Sequence, residues 1–418
     1  MKAVTFSRIP FAMLTLVAAV ALAISASAQT LRVIHSFARD PNGSLPSSGV
    51  IFDSAGNMYG VTGLQVGDAG SCYTGCGVAY KLMPTSSNGW RELSLFSFAP
   101  TGGAPRANLL LTLSGDLFGT GALNTTGGLA FELSPATKFT WQESVLGYSY
   151  FDMPGGALVA DQDGNFYGVN ATGGNCCGTV FELSPTGNGS WSETILYTFT
   201  GRTDGIAPMG SLLLDSAGNL YGTTETGGNI GNCGSGCGEV FELSKNSSGT
   251  WTKIVLHAFS GLDGWGPMGS LIMDTAGNLY GTTLFGGIYC QFVGCGTVFE
   301  LSPTATGWQE TVLHSFQSTD GTYPSSGLFL DGSGNLYGIT NQGGFKGCGV
   351  VFKLAPASGG SWTYTRLHSF TGGADGSENV EGEATPDMPL ALGPDGNLYG
   401  VTPLGGANNA GTVFRIAP

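Results

Sequence analysis

One five-residue phrase recurs seven times and limits what this chain can become. Gly-Asn-x-Tyr-Gly, or a near variant, begins at Gly56, Gly115, Gly164, Gly218, Gly277, Gly334 and Gly396. The intervals are 59, 49, 54, 59, 57 and 62 residues, so any acceptable fold is assembled from copies of one unit. The copy over 207–259 shows the unit most clearly: Ser211-Leu-Leu-Leu-Asp215, a turn at Ser216-Ala-Gly-Asn219, Leu220-Tyr-Gly-Thr-Thr224, a Gly-rich loop, Gly238-Glu-Val-Phe-Glu-Leu243, a polar turn, and Trp251 to Phe259. Four short β-type runs separated by turn residues read as a four-stranded antiparallel meander, strands A to D. Asp53, Asp161, Asp215, Asp274 and Asp331 share one place in the A–B turn. An acid that recurs at five of the seven hairpins is turn chemistry, since Asp and Asn bond nearby backbone groups and Gly accepts positive φ. Asp161-Gln-Asp163-Gly-Asn165 lacks the spaced ligands and closing Glu of a calcium loop.

Repeated four-stranded sheets of this size fit the blades of a β-propeller. Leu31-Arg-Val-Ile-His-Ser-Phe37 matches strand D, compare Val312-Leu-His-Ser-Phe316, while the last copy stops after strand C at Gly411 to Pro418. The fold class expected is therefore all-β, a seven-bladed propeller whose N-terminal strand completes the last blade and removes an open sheet edge. Composition agrees: 71 glycines and 11% charged residues exclude coiled coils and helical repeats, and 41% hydrophobic residues supply a core.

Residues 1–28 carry Lys2 and Arg8, an apolar run from Phe11 to Ile24, and Ala26-Ser27-Ala28. This is the pattern of a secretory signal cleaved before Gln29, so residues 29–418 are expected to form a single propeller domain, secreted or periplasmic. No later stretch is apolar enough to enter a membrane. The net charge is −14, and losing Lys2 and Arg8 makes the mature chain more acidic still; nucleic acid and anionic lipid are excluded as partners on that ground.

Gly218-Asn-Leu-Tyr-Gly-Thr-Thr224 and Gly296-Thr-Val-Phe-Glu-Leu-Ser-Pro303, recurring in order over 31–418, resemble the tandem repeats of exported bacterial proteins called GloVer-containing, of the choice-of-anchor group. The resemblance implies export and a repeat-built domain, and assigns no activity or catalytic residue. Relatives often end in a C-terminal sorting segment, whereas this chain ends in strand C, so the resemblance leaves surface anchoring open here.

Cys76, Cys177, Cys237, Cys295 and Cys348 each precede the Gly that opens strand C. Four have near partners in the same B–C loop, which predicts disulfides Cys72–Cys76, Cys176–Cys177, Cys233–Cys237 and Cys290–Cys295 and leaves Cys348 over. One blade offers two thiols at most, too few for a structural zinc site. His35, His257, His314 and His368 fill one slot of strand D in different copies. They are spread around the rim, so they are expected to pack or to bond at the sheet edge, and no metal or cofactor site is expected. The starts of strand A, which line a propeller's axis, are Gly49, Asn108, Ala157, Ser211, Ser270, Gly327 and Pro389. These do not form the metal-binding ring that a propeller lactonase or lyase needs.

Strand order puts the B–C and D–A loops on one face. The D–A loops carry Asp204, Asp263, Asp320 and Asp375, each before a Gly, with Trp265 and Tyr323 close by. Carboxylates beside aromatics on a rigid scaffold suit sugar rings or a cationic peptide. The reading preferred is a monomeric, exported, non-enzymatic module that binds polysaccharide or a surface protein through this face. The alternatives are a structural surface or matrix protein and a propeller enzyme.

Overall fold

The computed structural model describes residues 30–38, 44–64, 77–87, 89–98, 103–123, 127–137, 140–150, 153–174, 176–228, 233–290, 293–378 and 387–418. Seven antiparallel sheets follow one another around a ring. Blade 4 has strands Ile206–Leu214, Leu220–Thr226, Glu239–Lys245 and Trp251–Ala258 from the axis outward; blade 5 has Ile272–Met273, Leu279–Thr283, Thr297–Thr304 and Gly307–Ser315; blade 6 has Phe329–Leu330, Leu336–Thr340, Val350–Pro356 and Trp362–Ser369. The ring closes as the sequence requires. Blade 7 takes Ala391–Leu392, Leu398–Thr402 and Thr412–Ile416 from the C-terminus and Arg32–Ser36 from the N-terminus, with Arg32 opposite Arg415 and Ser36 opposite Thr412.

The recurring phrase has three separate duties. Its first Gly turns the A–B hairpin at φ between +76° and +93° in every blade, a region L-residues avoid. The preceding Asp holds that turn closed. In blade 4, Asp215 accepts the amides of Ala217 and Asn219, each at 2.8 Å, the Asn219 side-chain amide at 2.9 Å and the Tyr221 hydroxyl at 3.2 Å. The Tyr of the phrase is thus a fourth donor to the turn. The second Gly faces an aromatic ring of strand C across the ladder, Gly222 opposite Phe241 and Gly281 opposite Phe299. A Cβ on Gly281 would lie 2.6 Å from Phe299 Cζ, so only Gly lets the ring lie flat against strand B.

Those rings also join the blades. Phe259, at the end of strand D of blade 4, meets Phe299 of blade 5 edge-on with centroids 5.1 Å apart, and Phe316 meets Phe352 in the same way. Seven apolar clusters result, one in each seam between neighbouring blades, including the seam between blades 7 and 1 that holds Phe37, Tyr80, Val401 and Val413. Continuous seam burial makes the ring rigid and leaves its loops as the variable part.

Candidate functional site

The D–A and B–C loops share a face and are stitched together there. Trp265 exchanges backbone bonds with Phe285 at 2.9 and 2.8 Å, and Thr322 does so with Gln342 at 2.8 and 3.1 Å. Each D–A loop then reaches back one blade. The amides of Ala207, Gly266 and Tyr323 donate to the carbonyls of Cys177, Cys237 and Cys295 at 2.9 Å. The Cys slot before strand C is therefore also the backbone acceptor that seats the next blade's loop.

The four D–A aspartates fold back onto their own strand D. Asp204 accepts the Tyr197 hydroxyl at 2.6 Å and the Thr200 amide at 2.9 Å. Asp263 meets His257 Nε2 at 3.0 Å and accepts the Ser260 amide at 2.8 Å; Asp320 meets His314 Nε2 at 3.2 Å and accepts the Gln317 amide at 2.7 Å; Asp375 meets His368 Nε2 at 3.0 Å and accepts the Thr371 amide at 3.0 Å. Burial pushes the carboxyls of Asp204, Asp263 and Asp375 up, but these hydrogen bonds outweigh it and hold all three below the usual carboxylate range. The histidines stay in separate blades; His257, His314 and His368 each order their own loop, whereas His35 Nε2 lies 3.0 Å from Glu92 of blade 1.

The aromatics are brought together. The Trp265 ring lies 5.1 Å from Phe285, and Phe285 lies 5.5 Å from Tyr323, so three partly buried rings form a row across blades 5 and 6, with Trp265 also packed on the seam core. Phe285 was not singled out in the sequence, yet it fills the slot that Thr226, Gln342 and Leu404 occupy in other copies. Tyr323 sits at φ +60° before Pro324, the conformation that Leu45, Ala207 and Gly266 also take before Pro46, Pro208 and Pro267, so the repeat's loop sets this backbone and only the ring is particular to blade 6. Around the row, Leu262, Ile288, Tyr289 and Phe345 are exposed at 68%, 69%, 46% and 77%. The Arg366 guanidinium lies 3.9 Å above the Phe345 ring.

At the axis, the starts of strand A are the small, neutral residues expected, and they crowd one another: a Cβ on Gly49 would lie 2.8 Å from the Pro389 carbonyl oxygen. Their amides point inward and are capped by neighbouring blades, Gly49 N on Asn108 Oδ1 at 2.6 Å, Ala157 N on Ser211 Oγ at 3.1 Å and Ser211 N on Ser270 Oγ at 2.7 Å. Asp387, two residues before Pro389, was missed because it lies outside the slot compared between copies. Its buried carboxylate accepts the Ser270 hydroxyl and the Gly327 amide, the latter at 2.6 Å. Burial raises its pKa, opposed by the Ser270 hydroxyl and by the amides of Gly327, Ser270 and Ser211. A cavity of about 130 Å³ beside it is lined by Arg106, Asn108, Ser211 and Ser325. A groove of about 630 Å³ lies between the outer parts of blades 1 and 2, lined by Lys81, Arg91, Leu93 and Trp141.

Disulfides join Cys176 to Cys177, Cys233 to Cys237 and Cys290 to Cys295, and Cys348 is free. Cys72 and Cys76 lie outside the described residues. Among those residues no helix is long and apolar enough to cross a membrane.

The profile of the Gloeobacter/Verrucomicrobia repeat matches the chain three times, over residues 19–235, 121–288 and 231–418. No curated protein matches the sequence. Among solved structures, a family 25 polysaccharide lyase, an ulvan lyase bound to a GlcA(1-4)Rha3S chain, is similar at 12% identity with a TM-score of 0.54, covering 92% of this chain and 96% of its own. A luciferin-regenerating enzyme gives 12% identity and a TM-score of 0.43 over 93% of this chain and 95% of its own. At 12% identity the likeness to the lyase is one of fold.

Proposed function

The chain belongs to the Gloeobacter/Verrucomicrobia repeat family, and from that premise we propose that it is an exported, non-enzymatic binding module whose ligand is a polysaccharide or a surface protein, taken on the loop face. The observation that carries this reading is the row Trp265–Phe285–Tyr323. Adjacent, partly buried rings on a rigid support offer stacking surface at low entropic cost, the property that makes Trp and Tyr dominate binding energies. The D–A aspartates serve this reading as loop supports. Three disulfides and the N-terminal signal pattern favour an oxidising compartment outside the cytoplasm.

A propeller lyase would need an acid or base free to move a proton. Asp387 at the axis is committed to backbone and hydroxyl donors, which favours a supporting role for it.

The test is retention of residues 29–418 on a panel of soluble and insoluble polysaccharides, with wild type, Trp265→Ala and Tyr323→Gly side by side. Glycine removes the ring and also relieves the φ of +60°, so the Tyr323 variant keeps its melting temperature. Loss of a stacking residue worth about 2 kcal/mol weakens binding roughly thirtyfold. Arg91→Ala, in the groove between blades 1 and 2, leaves retention unchanged. Retention lost with Arg91 and kept without Tyr323 would move the site to that groove; failure to retain any glycan or surface protein would leave the structural role.

A further inference from the structure

At the two seams that flank blades 4 and 5, the residue two places after the Trp of strand D reaches across to the Asp-bearing loop of the preceding blade. Between blades 3 and 4 this residue is Lys253. Its Nζ donates to Asp204 Oδ1 at 3.0 Å and to the Asp204 carbonyl at 2.6 Å, and it pairs with Glu239. Between blades 5 and 6 it is Tyr364, which stacks on His314 with centroids 4.6 Å apart and donates to the Asp320 carbonyl at 2.5 Å. Both are donors, and both satisfy the loop they meet.

Between blades 4 and 5 the same position is Glu310. A carboxylate can donate nothing when ionised, and it faces a second carboxylate. A ring nitrogen of His257, an oxygen of Asp263 and an oxygen of Glu310 all lie within 4.8 Å of one another. Glu310 Oε1 is shielded from water and has no hydrogen-bond partner. The other two groups are already aimed. Asp263 Oδ1 is held by the Ser260 amide at 2.8 Å and hydroxyl at 2.9 Å, which turns Oδ2 toward His257; the His257 ring is fixed edge-on against Phe259 at 4.8 Å. Thr297 Oγ1 holds the Asp263 carbonyl at 3.1 Å. The seam thus has two acids and an imidazole converging on the spot that a lysine ammonium fills one blade earlier.

We propose that His257, Asp263 and Glu310 bind a divalent first-row cation, with Zn²⁺ the best fit. One imidazole nitrogen and two carboxylate oxygens suit that ion, need only small side-chain adjustments to reach bond lengths of about 2.0–2.2 Å, and leave a coordination position open to water or a ligand. The ion takes the place of the Lys253 ammonium and cross-links strand D of blade 5 to the loop that carries Trp265. The histidine slot taken alone gave no hint of this, because the partner acid lies in the next repeat, 53 positions along from His257. The site stands whether or not the loop face binds glycan.

The test uses residues 29–418 freed of metal with a chelator and titrated with Zn²⁺ at pH 7.5 by calorimetry, with bound zinc counted by atomic absorption. One equivalent binds to wild type, and zinc at a hundred times its Kd raises unfolding stability by about 2.7 kcal/mol. Glu310→Gln loses at least a hundredfold in affinity. Glu310→Lys, which copies the seam between blades 3 and 4, folds, loses zinc binding and melts at or above metal-free wild type. Cys348→Ser retains full binding. Absence of a stoichiometric equivalent, unchanged affinity in Glu310→Gln, or loss of binding in Cys348→Ser would each overturn the proposal.

Discussion

Replacing Gly281 by Ala adds one methyl group to a place with no room for it. The new Cβ would lie 2.6 Å from Phe299 Cζ and 3.0 Å from both Phe299 Cε1 and Leu271 Cδ2. An ordinary carbon contact is about 3.5 Å, so the ring must retreat by roughly 0.9 Å. It has nowhere to go: Phe299 is fully buried and held edge-on by Phe259 from the neighbouring blade. Overpacking of this kind costs about 1–3 kcal/mol, and the upper half of that range is expected because two blades share the ring. Gly281 has an ordinary negative φ, unlike Gly277, so the cost is one of space alone. The assay is urea unfolding of wild type, Gly281→Ala, Phe299→Leu and the double variant. Leucine leaves space where the ring edge was, so the double variant is expected to be more stable than the sum of the singles by at least about 1 kcal/mol, a coupling within reach of contacting residues. A Gly281→Ala protein as stable as wild type, or strictly additive changes, would refute the claim that the second Gly of each repeat exists to admit the strand C ring.

Three further outcomes are expected. Asp387→Ala strands the Ser270 hydroxyl and the Gly327 amide at the axis; at about 1–3 kcal/mol per buried unpaired donor, less the relief of no longer burying a carboxylate, the loss is roughly 2–4 kcal/mol of unfolding free energy, read from urea unfolding. In the A–B turns, Asp53, Asp161, Asp215, Asp274, Asp331 and Asp395 have carboxyls that burial raises but that Asn, Tyr and amide donors lower overall, below the ordinary 3.8. Their folded pKa lies under the unfolded one, so their contribution is complete above about pH 4 and fades as pH drops further; unfolding followed from pH 5 to pH 3 should fall less steeply in an Asp215→Asn/Asp331→Asn variant, and parallel curves would contradict this. Thiol counting by mass after denaturation without reductant should find one free cysteine, Cys348, among the nine; three would mean that Cys72 and Cys76 are reduced.

The ring, its blade count and its closure were legible because each rests on local chemistry repeated in register: a turn acid, a Gly at positive φ, and alternation along strands. The offset of Arg32–Ser36 from Thr412–Ile416 could be read because a missing strand at one end matched a surplus strand at the other. The second Gly of the phrase could not be explained from one strand, since its reason is a ring in another. The candidate site divided in the same way. Trp265 and Tyr323 were visible as loop aromatics, but Phe285, which joins them, looked like a strand end. Comparing equal slots separated the histidines correctly, and that same comparison hid Glu310, which meets His257 only because strand D of one blade leans on strand D of the next. Asp387 escaped for a simpler reason: it reaches the axis from two residues before the position at which the copies were aligned.

The most direct measurement is a hydrogen-exchange footprint of residues 29–418 with and without the ligand that the retention panel identifies. The account predicts new protection confined to 261–266, 284–296 and 318–324, the loops that carry Trp265, Phe285 and Tyr323, with the blade strands unchanged. Protection centred instead on 81–95 or on the axis around Asp387 would contradict it.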